Sequence, residues 1–137
     1  FAHRLYRVNY TSARDGSIRN LIAAIHLLCD HEELIPDPAE RGDQLDAFLQ
    51  ILHRRWQNRG DVRPQSTQVA LNDIEKSLAA GERAFEVLAE LGEARGKTPH
   101  QVKLRKQVLE KSLMRPLRSY RTRLLKRQQI SSALRAR

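Results

Sequence analysis

The apolar residues of this chain recur mainly every three or four positions, which is the repeat of an α-helix packed on one side. The first such stretch extends from about Ser17 to Asp30. The second begins at Asp37, an N-cap residue followed by proline at the first helical position, and continues to about Trp56. The predicted buried stripes are Ile18, Leu21, Ile22, Ile25 and Leu28 in the first helix, and Leu45, Phe48, Leu49, Leu52 and Trp56 in the second.

Two further helices are predicted in the second half of the chain. The third extends from about Ser66 to Gly92, and its strict 3-4 spacing predicts lengthwise packing against another helix. The fourth begins at the capping box of Thr98, and Pro116 inside it predicts a kink or two consecutive helices, because proline removes a backbone hydrogen bond. The seam of the third helix consists of Leu71, Ile74, Leu78, Gly81, Phe85, Leu88 and Gly92.

These elements predict an all-α fold, an irregular bundle of four to five helices. Residues 1–16 alternate apolar and polar side chains without a partner strand, and we expect an extended N-terminal arm there. Residues 17–97 are predicted to form a helical core, and residues 98–137 a basic C-terminal helical segment. The third and fourth helices are expected to form a long antiparallel hairpin joined by a glycine-containing turn.

The charge of the chain is concentrated at one end. The 137 residues include 25 Lys and Arg and 16 Asp and Glu, for a formal net charge of +9. Residues 98–137 hold twelve basic residues and one acid, Glu110, whereas residues 1–97 hold 13 basic and 15 acidic residues. One acid cannot neutralise such a segment, so we expect its basic side to project outward and to bind an external anion.

RNA phosphate is the expected anion, because arginine binds phosphate in a bidentate geometry and phosphate contacts release counterions. Recognition is expected to depend on shape and charge and not on base sequence. Tyr120 is expected to belong to the apolar stripe of the fourth helix. The alternative is that its ring stacks on an unpaired base. The candidate nucleic-acid-binding residues are Lys103, Arg105, Lys106, Lys111, Arg115, Arg118, Arg121, Arg123, Lys126 and Arg127.

Other kinds of chemistry have little support in the sequence. Residues 92–98 resemble a phosphate-binding loop, but they follow a helix and have one residue too few between the glycines, so a helix end followed by an N-cap is predicted. His26, Cys29 and His31 lie close together, but no second ligand pair follows at zinc-site spacing. The longest apolar run, residues 21–25, is too short to span a bilayer. We therefore expect no metal, no cofactor and no catalytic residues.

The tripeptide Leu5-Tyr6-Arg7 is similar to the one that names the LYR family of mitochondrial assembly factors and accessory subunits. The resemblance implies a three-helix unit with the tripeptide near the start of its first helix. The residues that follow here, 8–12 and Gly16, are poor helix formers, so no function is carried over from it.

The sequence predicts a non-enzymatic accessory subunit of a large ribonucleoprotein, an RNA-contacting organellar (mitochondrial) ribosomal protein with rRNA and neighbouring proteins as its partners. The alternative is a structural or assembly subunit of a membrane-associated respiratory-type complex, which docks through its basic helix on acidic protein or anionic lipid. The basic residues are mostly arginine and the first residue is Phe1. We therefore expect the mitochondrial matrix or another organelle interior, with the cytoplasm as the alternative.

Overall fold

The computed structural model describes residues 15–58, 67–94 and 96–135, and in these ranges the chain is helical without β-strands. The all-α prediction is confirmed. The α-helices are α1 (Asp15–Asp30), α2 (Pro38–Gln57), α3 (Thr67–Ala94), α4 (Pro99–Leu109) and α5 (Arg115–Arg135). A 3₁₀ turn, Glu32–Leu34, joins α1 to α2, and a π-helical segment, Glu110–Met114, joins α4 to α5.

The predicted N-terminal arm lies outside the described residues except at its end. Asp15 and Gly16, predicted as the end of the extended arm, are instead the first residues of α1. The tripeptide of residues 5–7 and most of the segment between α2 and α3 also lie outside the described ranges. The predicted ends of the first three helices and the predicted start of the fourth agree with the structure to within two residues.

Helices α1, α2 and α3 pack around one apolar core. Arg19 of α1 pairs with Asp73 of α3, and Asp30 at the end of α1 pairs with Arg83 further along α3, so α1 and α3 run parallel. The predicted stripes of the first two helices are buried, as their spacing requires, except that Trp56 at the end of the second stripe is only partly buried. The most deeply buried side chains of this core include Leu21, Ile25 and Leu28 of α1, Leu45, Phe48 and Leu52 of α2, and Ile74 of α3.

A buried arginine closes the turn between α1 and α2. Arg41 is 6% exposed and donates to the carbonyl of Leu28 at 2.9 and 2.7 Å and to the carbonyl of Cys29 at 2.9 Å. Carbonyls in the last turn of a helix have no partner within the helix, so the guanidinium caps α1. Arg41 lies four residues before Leu45, at helical spacing with the buried stripe of α2, and this spacing could have revealed its burial.

Helix α3 is buried on two faces, because it contacts every other helix. The predicted seam is present, although Phe85 and Leu88 are only half-buried. A second 3-4 seam runs beside it and was not predicted, because most of its residues are small or polar. Small side chains let the neighbouring helices approach closely. The second seam consists of Ala70, Asp73, Ser77, Ala80, Ala84, Val87 and Leu91.

The turn between α3 and α4 is a helix end followed by an N-cap, as predicted. Gly96 has a φ of 75°, which glycine adopts without a Cβ clash, and the N–H of Lys97 donates to the carbonyl of Gly92 at 2.9 Å. The Thr98 side chain accepts from the N–H of Gln101 at 3.2 Å, and the Gln101 side chain accepts from the N–H of Thr98 at 2.9 Å. This reciprocal capping box starts α4.

Residues 99–135, which we call the basic arm, return antiparallel along α3. Gln128 donates to the side chain of Gln68 at 2.9 Å near the start of α3, and Arg121 pairs with Glu75 one to two turns further along. The predicted hairpin of the third and fourth helices is therefore present.

Pro116 is accommodated by the π-helical segment that precedes it. The N–H of Arg115 donates to the carbonyl of Glu110, five residues back, so the hydrogen-bond register changes just before the proline. Pro116 is then a first-turn residue of α5, where a helix tolerates a missing N–H. Gly81 of α3 lets this segment approach closely, because a Cβ on Gly81 would lie 2.6 Å from Sδ of Met114.

Candidate nucleic-acid interface

The basic arm contacts the core along a narrow apolar line. Helix α4 buries none of its residues, and α5 buries Leu117 and Leu124. Leu113 and Met114 of the π-helical segment complete the buried contact. The remaining side chains of the arm are exposed or half-buried, so its polar groups reach solvent along most of its length.

The ten basic residues predicted as a binding site all lie on this arm, but three of them are paired inside the chain. The pairs are Arg105 with Asp46 of α2, Arg118 with Glu110 of the π-helical segment, and Arg121 with Glu75 of α3, the last at 3.1 Å. The expectation that this charge lacks partners within the chain is wrong for these three arginines. Folding brings carboxylates of α2 and α3 against the arm, which the count of acids within the segment did not include.

The pair of Arg118 and Glu110 changes the titration of both groups. The hydrogen bond from Arg118 holds the pKa of the Glu110 carboxyl below its usual value, and the charges of Arg115 and Lys106 act in the same direction. The same hydrogen bond raises the pKa of Arg118. Both side chains are more than a third exposed, so water screens the pair and its contribution to stability is small.

Four other predicted residues are exposed and form neither an ion pair nor an aromatic contact within the described part of the chain: Lys103, Lys111, Arg115 and Lys126. We call them the outer cations. Lys111 and Arg115 are four residues apart and lie on one helical face, and the four residues together are distributed along the arm. At 1.5 Å per residue they extend over about 35 Å. Arg127 is also exposed.

Aromatic rings lie beside two more of the predicted residues. Nζ of Lys106 is 5.0 Å from the centroid of the Phe85 ring, and Cζ of Arg123 is 5.5 Å from that of Tyr120. Tyr120 packs edge-to-face on Trp56, with 6.1 Å between ring centroids, and both rings lie against the core. Tyr120 therefore belongs to the apolar stripe, as predicted.

A cleft of about 390 Å³ lies between α2 and α4, and α3 forms part of its wall. Phe85 and Leu88 of α3 contribute to its lining, and Leu104 and Val108 of α4 stand at its edge, 48% and 66% exposed. Its polar lining residues are Asp46, Gln50, His53, Arg105 and Ser112. The lining residues come from α2, α3, α4 and the π-helical segment, and these are far apart in the sequence except for the last two, so the spacing of residues along the chain did not reveal this cleft.

The residues weighed as metal ligands do not form a cluster. Cys29 is buried, and burial is the main cause that raises its pKa from 9.0 to about 11. His31 is exposed, and its Nδ1 lies 2.9 Å from Oε1 of Glu33. Within residues 15–58, 67–94 and 96–135, no group of three His, Cys, Asp or Glu side chains could hold a metal ion.

Comparisons with protein-family models, with curated proteins and with solved structures found no match. None of the helices in the described ranges has the length and apolar content needed to cross a membrane. The function must therefore be argued from the charge and geometry of the basic arm.

Proposed function

We propose that this chain is a non-enzymatic, RNA-contacting accessory subunit of a large ribonucleoprotein, namely an organellar ribosome such as that of mitochondria. The observation that supports this proposal is the row of outer cations, which are exposed, are distributed along the arm and form no ion pair within the described residues. Their partner is the phosphate backbone of rRNA.

The energetics of the row favour a polyanion. Lys111 and Arg115 are four residues apart on one helical face, where like charges repel each other. Phosphates at regular intervals relieve this repulsion at several positions at once, and each contact releases counterions from the nucleic acid. A single small anion could offset one or two of these charges but not a row about 35 Å long.

The internal ion pairs have a different role in this proposal. Arg105 and Arg121 connect the arm to carboxylates of α2 and α3, so they position the row of outer cations on the core. Reversing their charge would disturb the fold together with any RNA contact. A test of RNA binding must therefore change the outer cations and leave the paired arginines unchanged.

The test compares two double variants that each remove two positive charges. Lys111→Gln with Arg115→Gln removes two outer cations, and Arg54→Gln with Lys76→Gln removes two exposed cations from α2 and α3. Affinity for a paired rRNA fragment is measured by fluorescence anisotropy over a series of salt concentrations. The first variant is expected to weaken binding strongly and to lower the salt slope by about two, because each phosphate contact contributes about one. Equal effects of both variants would contradict the proposal.

The second candidate is a structural subunit that docks its arm on an acidic protein or on anionic lipid of a membrane-associated complex. The observation that favours it is that Arg105 and Arg121 already bind carboxylates across helices. An assembly that survives both nuclease and high salt, or binding to vesicles with anionic lipid but not to RNA, would favour this candidate over the first.

A further inference from the structure

We propose that the cleft between α2 and α4 holds one unpaired RNA base, while the neighbouring phosphates lie on Lys111 and Arg115. This inference rests on the proposed function and adds to it a preference for looped or single-stranded RNA over a continuous duplex. Sequence-specific proteins commonly take up unstacked bases in this way, because the base edges of an RNA duplex are hard to reach.

The cleft has the dimensions and lining of a small-ligand site. Its volume of about 390 Å³ lies within the range of roughly 300–1,000 Å³ typical of such sites. Phe85 and His53 supply ring surfaces, and Leu104 and Val108 supply an aliphatic edge. Leu104 and Val108 are left largely exposed to water by the fold, so covering them with the face of a base removes apolar surface from water.

Polar groups in the cleft match the edges of a base. The amide of Gln50 and the hydroxyl of Ser112 can each donate and accept a hydrogen bond. Arg105 and Asp46 also line the cleft, but they pair with each other. The cleft thus combines apolar walls with a few neutral polar groups, which suits a flat, uncharged ring with hydrogen-bonding edges.

Positive charge beside the cleft indicates that the bound ring is attached to a phosphate. Leu104, Val108 and Lys111 follow one another at intervals of four and three residues from α4 into the π-helical segment, and Arg115 follows Lys111 by four residues at the end of that segment. The apolar edge of the cleft therefore continues directly into two outer cations. A nucleotide matches this sequence of surfaces, because its uncharged base is covalently joined to a phosphate that a cation one turn away can bind.

The arm contains a matched control for the apolar edge. Ile130 and Leu134 are also four residues apart and are 63% and 66% exposed, but they do not line the cleft. Replacing Leu104 and Val108, or Ile130 and Leu134, with glutamine removes two exposed apolar side chains in either case without changing the charge. Circular dichroism of both double variants checks that they remain helical.

The experiment measures the affinity of each protein for two RNAs with the same number of phosphates, a hairpin with an unpaired loop and a fully paired duplex. The wild-type chain is expected to bind the hairpin about tenfold more tightly, as stacking of one base provides. Leu104→Gln with Val108→Gln should lower hairpin affinity to the level of the duplex and leave duplex affinity unchanged. Ile130→Gln with Leu134→Gln should preserve the preference for the hairpin.

The outcomes separate this inference from the proposed function. Equal wild-type affinity for hairpin and duplex, or a preference that survives in the Leu104 and Val108 variant, would overturn the base-binding cleft and leave phosphate binding standing. Loss of the preference in the Ile130 and Leu134 control would also overturn it, since the effect would not belong to the cleft. If the wild-type chain binds neither RNA, the proposed function itself fails.

Discussion

The α1–α3 core and the basic arm are both helical, but they bury very different surfaces. Every helix of the core contributes large apolar side chains that are fully enclosed, and two seams of α3 are covered. In the arm, α4 encloses no residue and α5 encloses two. Hydrophobic burial is the main stabilising force in folding, so the core accounts for the stability of the molecule. The arm packs on the core through a few apolar side chains and leaves most of its basic side chains exposed to solvent.

The largest expected effect on stability comes from removing a large buried side chain from the core. Phe48 is fully buried, and Phe48→Ala should lower the free energy of unfolding by about 3–5 kcal/mol, from lost transfer energy and the remaining cavity. Leu104→Ala in the arm should lower it by less than about 1 kcal/mol, because Leu104 is already half exposed. Urea denaturation followed by circular dichroism measures both values. Similar losses would mean that the arm is as tightly packed as the core.

Two arginines of α2 offer a second contrast. Arg41→Ala leaves the last carbonyls of α1 without their buried donor, and we expect a loss of about 2 kcal/mol in the free energy of unfolding. Arg54 is exposed on the same helix, and Arg54→Ala should stay within about 0.5 kcal/mol of the wild type. Thermal unfolding of the two variants under identical conditions provides the comparison. An equal effect would exclude a capping role for Arg41.

The contact between the core and the arm can be loosened from α3. Gly81→Val places a branched side chain where Met114 now lies, and we expect a cost of about 1 kcal/mol, partly offset by the higher helix propensity of valine. Ala79→Val, at an exposed position of the same helix, is the control. Hydrogen exchange should show faster exchange in the arm than in the core for Gly81→Val. Uniformly faster exchange would mean that the two regions unfold as one unit.

The smallest expected effect concerns the ion pair within the arm. The pKa of Glu110 is lowered from its ordinary value of 4.5, so the folded chain favours the ionised form. The pair therefore stabilises the arm above that ordinary pKa, and this contribution disappears as the pH falls through the lowered pKa.

The measurement compares wild type with Glu110→Gln across this pH range. At neutral pH the variant should be less stable by no more than about 1 kcal/mol, because both partners are exposed to solvent. At a pH below the lowered pKa the two proteins should have equal stability. A difference that persists in acid would show that Glu110 stabilises the arm by something other than its charge.

Most of the helical architecture could be predicted from the sequence, because its signals are local. The spacing of Leu45, Phe48 and Leu52 places one face of α2 inside, and the Thr98 capping box marks where α4 begins. Pro116 indicated an interruption, but its form, a π-helical segment before the proline, was not predicted from the local sequence. The concentration of basic residues on the arm could be found from the sequence alone, by counting charged residues along the chain.

Tertiary structure decided which of those basic residues have partners and where a cleft forms. Arg105 and Asp46 are 59 positions apart, and Arg121 and Glu75 are 46 apart, so no local pattern relates them. The cleft is likewise lined by residues of α2, α3 and α4, so it forms only when folding packs these helices together. Helical periodicity and capping act over a few residues and can be read along the chain. The neutralisation of a charge depends on what lies within a few ångströms in space, which folding alone determines.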